Sequence, residues 1–249
     1  MNNYCRTATL SLAIAASLMA VAAPSAQSMD CLRLEQDSQI YGTGTIFSFG
    51  KDGFRWSNPA NGVRIMAHAP EWKVQIYNAK TNRIFETPLN KYEGHMLRIS
   101  IIFWGFSFPR IPFVEGAKEN ILGLQCRSFK MKKLTKAEKV EKGIDTLFDA
   151  KLLTTKDLPC PPQVLAFVRQ QYNFPALGDL PLSLLIERKG KNKQYMLQTT
   201  KITKVNLPPS DFQAPAGAMR ASNDKDVLRG SDENSSLDGL MQDINRKGF

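Results

Sequence analysis

From Gln39 to Ser57 the chain alternates apolar and small polar residues. Tyr41, Thr43, Thr45, Phe47 and Phe49 fall on one side of a strand, and the turn Gly50-Lys51-Asp52-Gly53 leads into a second. The stretch VRIMAHAPEWKVQIYNAKTNRIFETPL reads as two more strands, divided by Pro70 and then by the polar turn Asn78 to Asn82. Alternation at period two with a single apolar face predicts antiparallel pairing over a core, the other face being wet.

The following run, LRISIIFWGFSFPRIPF, is the most apolar and aromatic part of the chain outside its first residues. Gly105, Pro109, Arg110 and Pro112 interrupt it, so it cannot cross a membrane as a helix. It reads either as a buried strand or as an aromatic loop that contacts lipid or an apolar ligand. ILGLQCRSFKMKKL predicts another strand. Thr135 and Glu138 form a capping box ahead of a lysine-rich helix or loop closed by Gly143. TLFDAKLLTTKDL returns as a strand. Pro161 and Pro162 then stand where a helix begins, and Val164, Leu165, Phe167, Val168, Gln171 and Tyr172 give it one apolar face, with Pro175 as its stop. Leu182 to Lys189, the turn Gly190-Lys191-Asn192 and Lys193 to Leu207 predict a closing hairpin. Its Arg188, Lys189, Lys191, Lys193, Lys201 and Lys204 face only Glu187 in opposition. This run reads either as a solvated, protected sheet edge or as a contact surface for anionic partners. In LPPSDFQAPAG, Leu207 and Phe212 anchor the last strand, while Pro208, Pro209 and Pro215 end its pairing. After Gly217 the chain is polar; 218–235 is expected to be disordered, and Leu237, Leu240, Met241 and Ile244 to form a short helix that is unstable alone.

The N-terminal 28 residues are set apart from this pattern. Arg6, an apolar run from Leu10 to Ala23 and the small-residue exit Ala26-Gln27-Ser28 predict a secretory signal peptide cleaved near Ser28. Acylation at Cys31 is not expected, because Asp30 precedes it. The organisation expected is thus a signal at 1–28, a domain at 29–217 and a flexible tail at 218–249. Without Arg6, 32 basic residues face 23 acidic ones. A basic exported protein is drawn to anionic lipid or envelope polymers, and export separates it from nucleic acid. Cys31, Cys126 and Cys160 show no CxxC spacing, and with only His68 and His95 to join them no metal site is expected. Oxidising conditions allow one disulfide, with Cys126–Cys160 preferred, or three unpaired cysteines. No GxSxG, HExxH, P-loop or Rossmann glycine pattern occurs, so neither an enzymatic activity nor a cofactor is expected.

A meander, a helix, a late hairpin and LPPSDFQAPAG together resemble the superfamily of periplasmic lipoprotein carriers and their LolA-, LolB- and RseB-like relatives. Leu207, Pro208, Phe212, Pro215 and Gly217 match a closing motif common there, although Ala218 stands where an aromatic commonly follows. ILGLQCRSFKM and GDLPLSLLI resemble two of the superfamily's strands. The resemblance spans about residues 40–217. It implies a mainly β, α+β fold, in which a curled antiparallel sheet forms an incomplete barrel under one or two covering helices. Such a hollow either packs tightly or binds something apolar. On that reading Trp56, Trp72, Phe103, Trp104, Phe106 and Phe108 line the cavity. Leu165, Phe167 and Val168 form a lid, and an acyl chain of a lipid or lipoprotein is the ligand. The alternative is an envelope interaction module with a self-filled core that docks through its basic surface.

Overall fold

A computed structural model describes residues 28–39, 41–94, 112–141, 148–172, 174, 178–188 and 193–228. Phe103, Trp104, Phe106, Phe108, His95, Gly143, Pro175, Lys189, Lys191, residues 1–27 of the signal segment, 229–235 of the segment expected to be disordered and the expected helix after Leu237 lie outside them.

The first half is an antiparallel meander: β1 (Met29–Ser38), β2 (Gly42–Gly50), β3 (Gly53–Asn58), β4 (Val63–His68), β5 (Lys73–Asn78) and β6 (Arg83–Pro88). Period two operates as expected: Phe54 and Trp56 face the main core while Arg55, between them, reaches Asp211 on the opposite face. Where two strands are expected after β3, three form, because Pro70 and the Asn78–Asn82 turn each reverse the chain. β1 has no counterpart in the sequence pattern; Arg33, Glu35, Gln36 and Asp37 make it look solvated, yet Leu34 is fully buried.

The second half holds β7 (Phe113–Glu115), β8 (Glu119–Ile121), β9 (Leu124–Met131), α1 (Lys136–Glu141), β10 (Phe148–Thr155), α2 (Pro162–Tyr172), β11 (Leu180–Arg188) and β12 (Gln194–Leu207). The single strand expected at 121–134 is a hairpin instead: Leu122 and Gly123 both take positive φ and turn β8 onto β9. The capping box forms, with the Thr135 amide donating to Glu138 Oε2 at 2.7 Å and the Glu138 amide to Thr135 Oγ1 at 3.2 Å.

β12 pairs with β1 from Met29↔Leu207 to Asp37↔Gln198 and so joins the halves. With β13 (Met219–Arg220), the strand order is β13-β6-β5-β4-β3-β2-β1-β12-β11-β10-β9-β7, β8 lying on β9. The sheet curls without closing into a barrel, and one core cluster holds inner-face residues of both halves. This places β12 deep inside the sheet and corrects the expectation that the lysine hairpin is a protected edge.

The ordered chain also does not stop at Gly217. After the turn Pro209–Phe212, Phe212 is fully buried with Cys31 and Leu207 on the outer face of the sheet. Ala214 and Ala218 pack on Met66, Tyr77 and Ile84 of that face, and β13 then adds in parallel to β6. Beyond it, α3 (Asp224–Leu228) inserts Val227, fully buried, into the main core cluster. Residues 207–228 therefore form a strap that crosses the outer face, rounds the β6 edge and re-enters the core. Polar composition misleads the expectation of disorder, because the docking uses backbone groups: the Met219 amide donates to Asn82 O and the Ala221 amide to Ile84 O, both at 2.8 Å.

Candidate functional site

The hollow of the sheet is occupied by α2. Phe167 is fully buried and stacks on Phe54 at 4.2 Å between ring centroids and on Tyr92 at 5.5 Å. Val168 is buried beside it, so two of the three expected lid residues are a plug in the core. Trp56 is 1% exposed and meets Tyr41 edge-on at 5.0 Å. Trp72 is partly buried and stacks on Phe54 at 6.4 Å. Both are packing residues here. The structure thus gathers Trp56, Trp72, Phe167 and Val168 around one core.

At the C-terminal end of α2 lies a polar knot that hydrophobic patterning does not signal. Fully buried Gln171 donates through Nε2 to Tyr41 Oη at 2.9 Å and accepts at Oε1 from the Tyr92 hydroxyl. Tyr41 also donates to the Gln171 carbonyl at 3.2 Å. Burial holds the Tyr41, Tyr92 and Tyr172 hydroxyls well above the ordinary phenol range, so they stay protonated. Gly94, at φ +60°, permits the close approach of this loop to α2: a Cβ there would stand 2.2 Å from Gln170 O.

The remaining lid residue, Leu165, faces a cleft of about 210 Å³ between α2 and strands β10 and β11. Leu152 and Pro181 line it from the strands, Leu165 and Ala166 from α2, and Phe174 completes the apolar lining. Three polar residues interrupt this lining: Thr154, Asp179 and the exposed Arg169. Thr154 is the cross-strand partner of Arg127 in β9 and of Pro181 in β11, which brings Asp179, two residues before Pro181, to the same spot. Arg127 holds two carboxylates. Its Nε and Nη2 donate to Glu115 at 2.8 and 2.9 Å, and its Nη1 donates to Asp179 Oδ2 at 2.8 Å. These bonds, the Glu115 pair first, push the guanidinium still further up and hold Glu115 below the usual carboxylate range. Thr154 Oγ1 adds a 3.3 Å bond to Asp179 Oδ2.

The expected basic surface is not gathered on one side. Ile202 packs against the main core and Val205 against the outer-face cluster. By alternation Lys201 therefore points outward and Lys204 to the inner side. Lys201 pairs with Glu35 at 2.8 Å and Lys193 with Glu187 at 2.7 Å. For Arg188 only the backbone is described.

Cys31, Cys126 and Cys160 are free thiols, so the preferred Cys126–Cys160 bridge is not formed. Cys126 points to Leu124 O at 3.8 Å and Cys160 to Pro161 O at 3.9 Å, each engaged locally rather than with the other. Burial pushes the Cys160 thiol up to about 12. Among the described residues no metal-binding group of histidine, cysteine, aspartate or glutamate assembles, and no helix is long and apolar enough to cross a membrane.

No protein-family model matches the sequence, and no curated protein matches it. Solved structures with a similar course of chain include an uncharacterized conserved protein from Thermus thermophilus, at 8% identity over 77% of this chain and 89% of that one, with a TM-score of 0.35. A domain from Vibrio parahaemolyticus named for outer membrane lipoprotein sorting aligns at 10% identity over 82% and 91%, with a TM-score of 0.29. A DUF1329 family protein from Desulfovibrio piger aligns at 11% identity over 76% and 91%, with a TM-score of 0.25. At these identities and TM-scores the likenesses carry no functional argument.

Proposed function

We propose that this chain is an exported, non-enzymatic binding protein that takes up one alkyl or acyl chain of a lipid or lipoprotein in the cleft between α2, β10 and β11. The observation that carries this reading is the cleft itself: an apolar floor and wall stay open beside a plugged core, with a cationic arginine at the rim. The signal-like first 28 residues and the basic net charge support export to a compartment rich in anionic amphiphiles. At about 210 Å³ the space is smaller than the roughly 300–1,000 Å³ of drug-sized ligand pockets, so it suits part of one chain rather than a whole lipid. Burying six methylenes would supply about 5 kcal/mol before ordering costs.

Delipidated protein titrated with a fluorescent fatty acid tests this. Saturable uptake at micromolar ligand is expected, and Leu165→Trp, which fills the cleft, should abolish it with the circular dichroism spectrum unchanged. Uptake that is absent, or indifferent to Leu165→Trp, overturns the cleft as the site.

The self-filled hollow under Phe167 favours a second reading, an envelope interaction module that docks through basic residues. Co-sedimentation with vesicles containing phosphatidylglycerol, in the absence of any fatty-acid uptake, is its expected signature.

A further inference from the structure

Across three adjacent strands of the sheet, Arg33 of β1 stands opposite Ser48 of β2, and Ser48 opposite Arg55 of β3. Alternation puts all three on the outer face, because Leu34, Phe47, Phe49, Phe54 and Trp56 beside them enter the core. Strands about 4.8 Å apart place the two arginine Cα atoms roughly 10 Å from each other, a span that one small ligand can bridge. Ser48 is fully buried between them, and its short side chain leaves that span open. Charge here does not balance. Asp211 of the strap pairs with Arg55 Nη1 at 2.9 Å, and Glu35 pairs with Lys201 at 2.8 Å. The half-buried Arg33 has no ion pair and no side-chain hydrogen bond among the described residues. Two guanidinium groups thus share one carboxylate where water only partly screens them. The Nε of each arginine and the Ser48 hydroxyl are covered, lack partners and offer a ligand nothing. The ends of the arginines differ. Neither Arg33 Nη1 nor Nη2 is among the buried atoms without a partner, so both reach solvent, and Arg55 keeps Nη2 beside the Nη1 held by Asp211.

We propose that the terminal nitrogens of Arg33 and Arg55 form a phosphate-binding site on the outer face, above Ser48. Arg33 presents Nη1 and Nη2 to the phosphate oxygens on one side, and Arg55 donates through Nη2 on the other. A phosphate fits this pair better than a carboxylate does. One guanidinium fork satisfies both oxygens of a carboxylate, whereas a tetrahedral phosphate turns oxygens towards two arginines at once. Its charge also offsets the surplus cation that Asp211 leaves. The site is independent of the cleft, which lies on the inner side of the sheet under α2.

Calorimetric titration of the full chain with inorganic phosphate, acetate and dihexanoylphosphatidate, at constant ionic strength, tests the proposal. Phosphate is expected to bind about tenfold tighter than acetate. Arg33→Gln should weaken phosphate by about tenfold, and Arg33→Lys, which keeps the charge without the fork, should weaken it severalfold. Asp211→Asn should act in the opposite sense and tighten phosphate severalfold, because it removes the anion that competes for Arg55. That variant keeps the test decisive if the Arg33 variants do not fold. Fatty-acid uptake at the cleft should be the same in every variant, so failure of the cleft and failure of this site are read separately. Dihexanoylphosphatidate bound tighter than phosphate, with the gain lost in Arg33→Gln, supports the proposal and identifies a lipid head group as the source. Binding no tighter than phosphate, or a gain that survives Arg33→Gln, supports it with a free phosphate as the source, provided phosphate itself responds to the variants. Phosphate bound no tighter than acetate, or indifferent to both Arg33→Gln and Asp211→Asn, overturns the site.

Discussion

Phe167 shows how a residue legible in the sequence can change its meaning in the fold. Its spacing with Val164 and Val168 marks the apolar face of a helix, but spacing cannot say whether that face closes a cavity or fills it. Stacked on Phe54 and Tyr92 with no exposure, it fills it. Phe167→Ala is expected to cost about 3–5 kcal/mol, read as a lower urea midpoint at unchanged slope. Gly94→Ala should also destabilise the fold, by about 1–3 kcal/mol in the same assay, since its Cβ would meet the Gln170 carbonyl at 2.2 Å. Gln171 is legible as a member of the buried helix face but not by its partners, and Asp179 is not legible at all, because a lone polar side chain gains its role only from the neighbours that surround it. The cysteines are legible as a count and not as a pairing. Denatured without reductant, Cys31, Cys126 and Cys160 should each take up iodoacetamide, as peptide mass spectrometry would read; a protected Cys126–Cys160 pair would contradict the free thiols.

Among the elements, the strands with strict alternation and a glycine turn, β2 and β3, are readable in place and face. β1 and β8 are not: β1 carries its charges on a strand flanked on both sides by partners, and β8 is only three residues long. The outer face of β5 and β6 carries an ionic tie with a pH signature. Glu86, 16% exposed at its side chain, accepts from Lys73 at 2.7 Å and Gln75 at 2.8 Å, with Arg220 of β13 at 3.5 Å. The Lys73 hydrogen bond, chiefly, holds its carboxyl below the ordinary range. Because the folded pKa lies below the unfolded value of about 4.3, the stabilisation is full above that value and is lost as pH falls through the folded one. Glu86→Gln should therefore lower the urea midpoint at pH 7, by no more than about 1 kcal/mol given the half-exposed Lys73, and make progressively less difference below about pH 4.

Across the complete fold, the strap 207–228 ties the central strands to the β6 edge and returns to the core. Val227→Ala should cost roughly 2 kcal/mol in thermal or urea unfolding, although the residue lies in a segment whose composition reads as disordered. A chain stopped after Gly217 should lose more, and a truncated protein of undiminished stability would refute the docked strap. Local pattern along the chain is enough for a mainly β sheet, the two faces of its strict strands, the helix at Pro162 and the latch at Leu207 and Phe212, because periodicity, prolines and glycines act through nearby backbone geometry. It is not enough for the plugging of the hollow by α2, the place of the lysine hairpin inside the sheet, or the meeting of Arg127, Thr154 and Asp179 at a cleft. Those outcomes depend on which distant strands pair and in what register, a choice made by the summed burial of the whole sheet rather than by any segment of it.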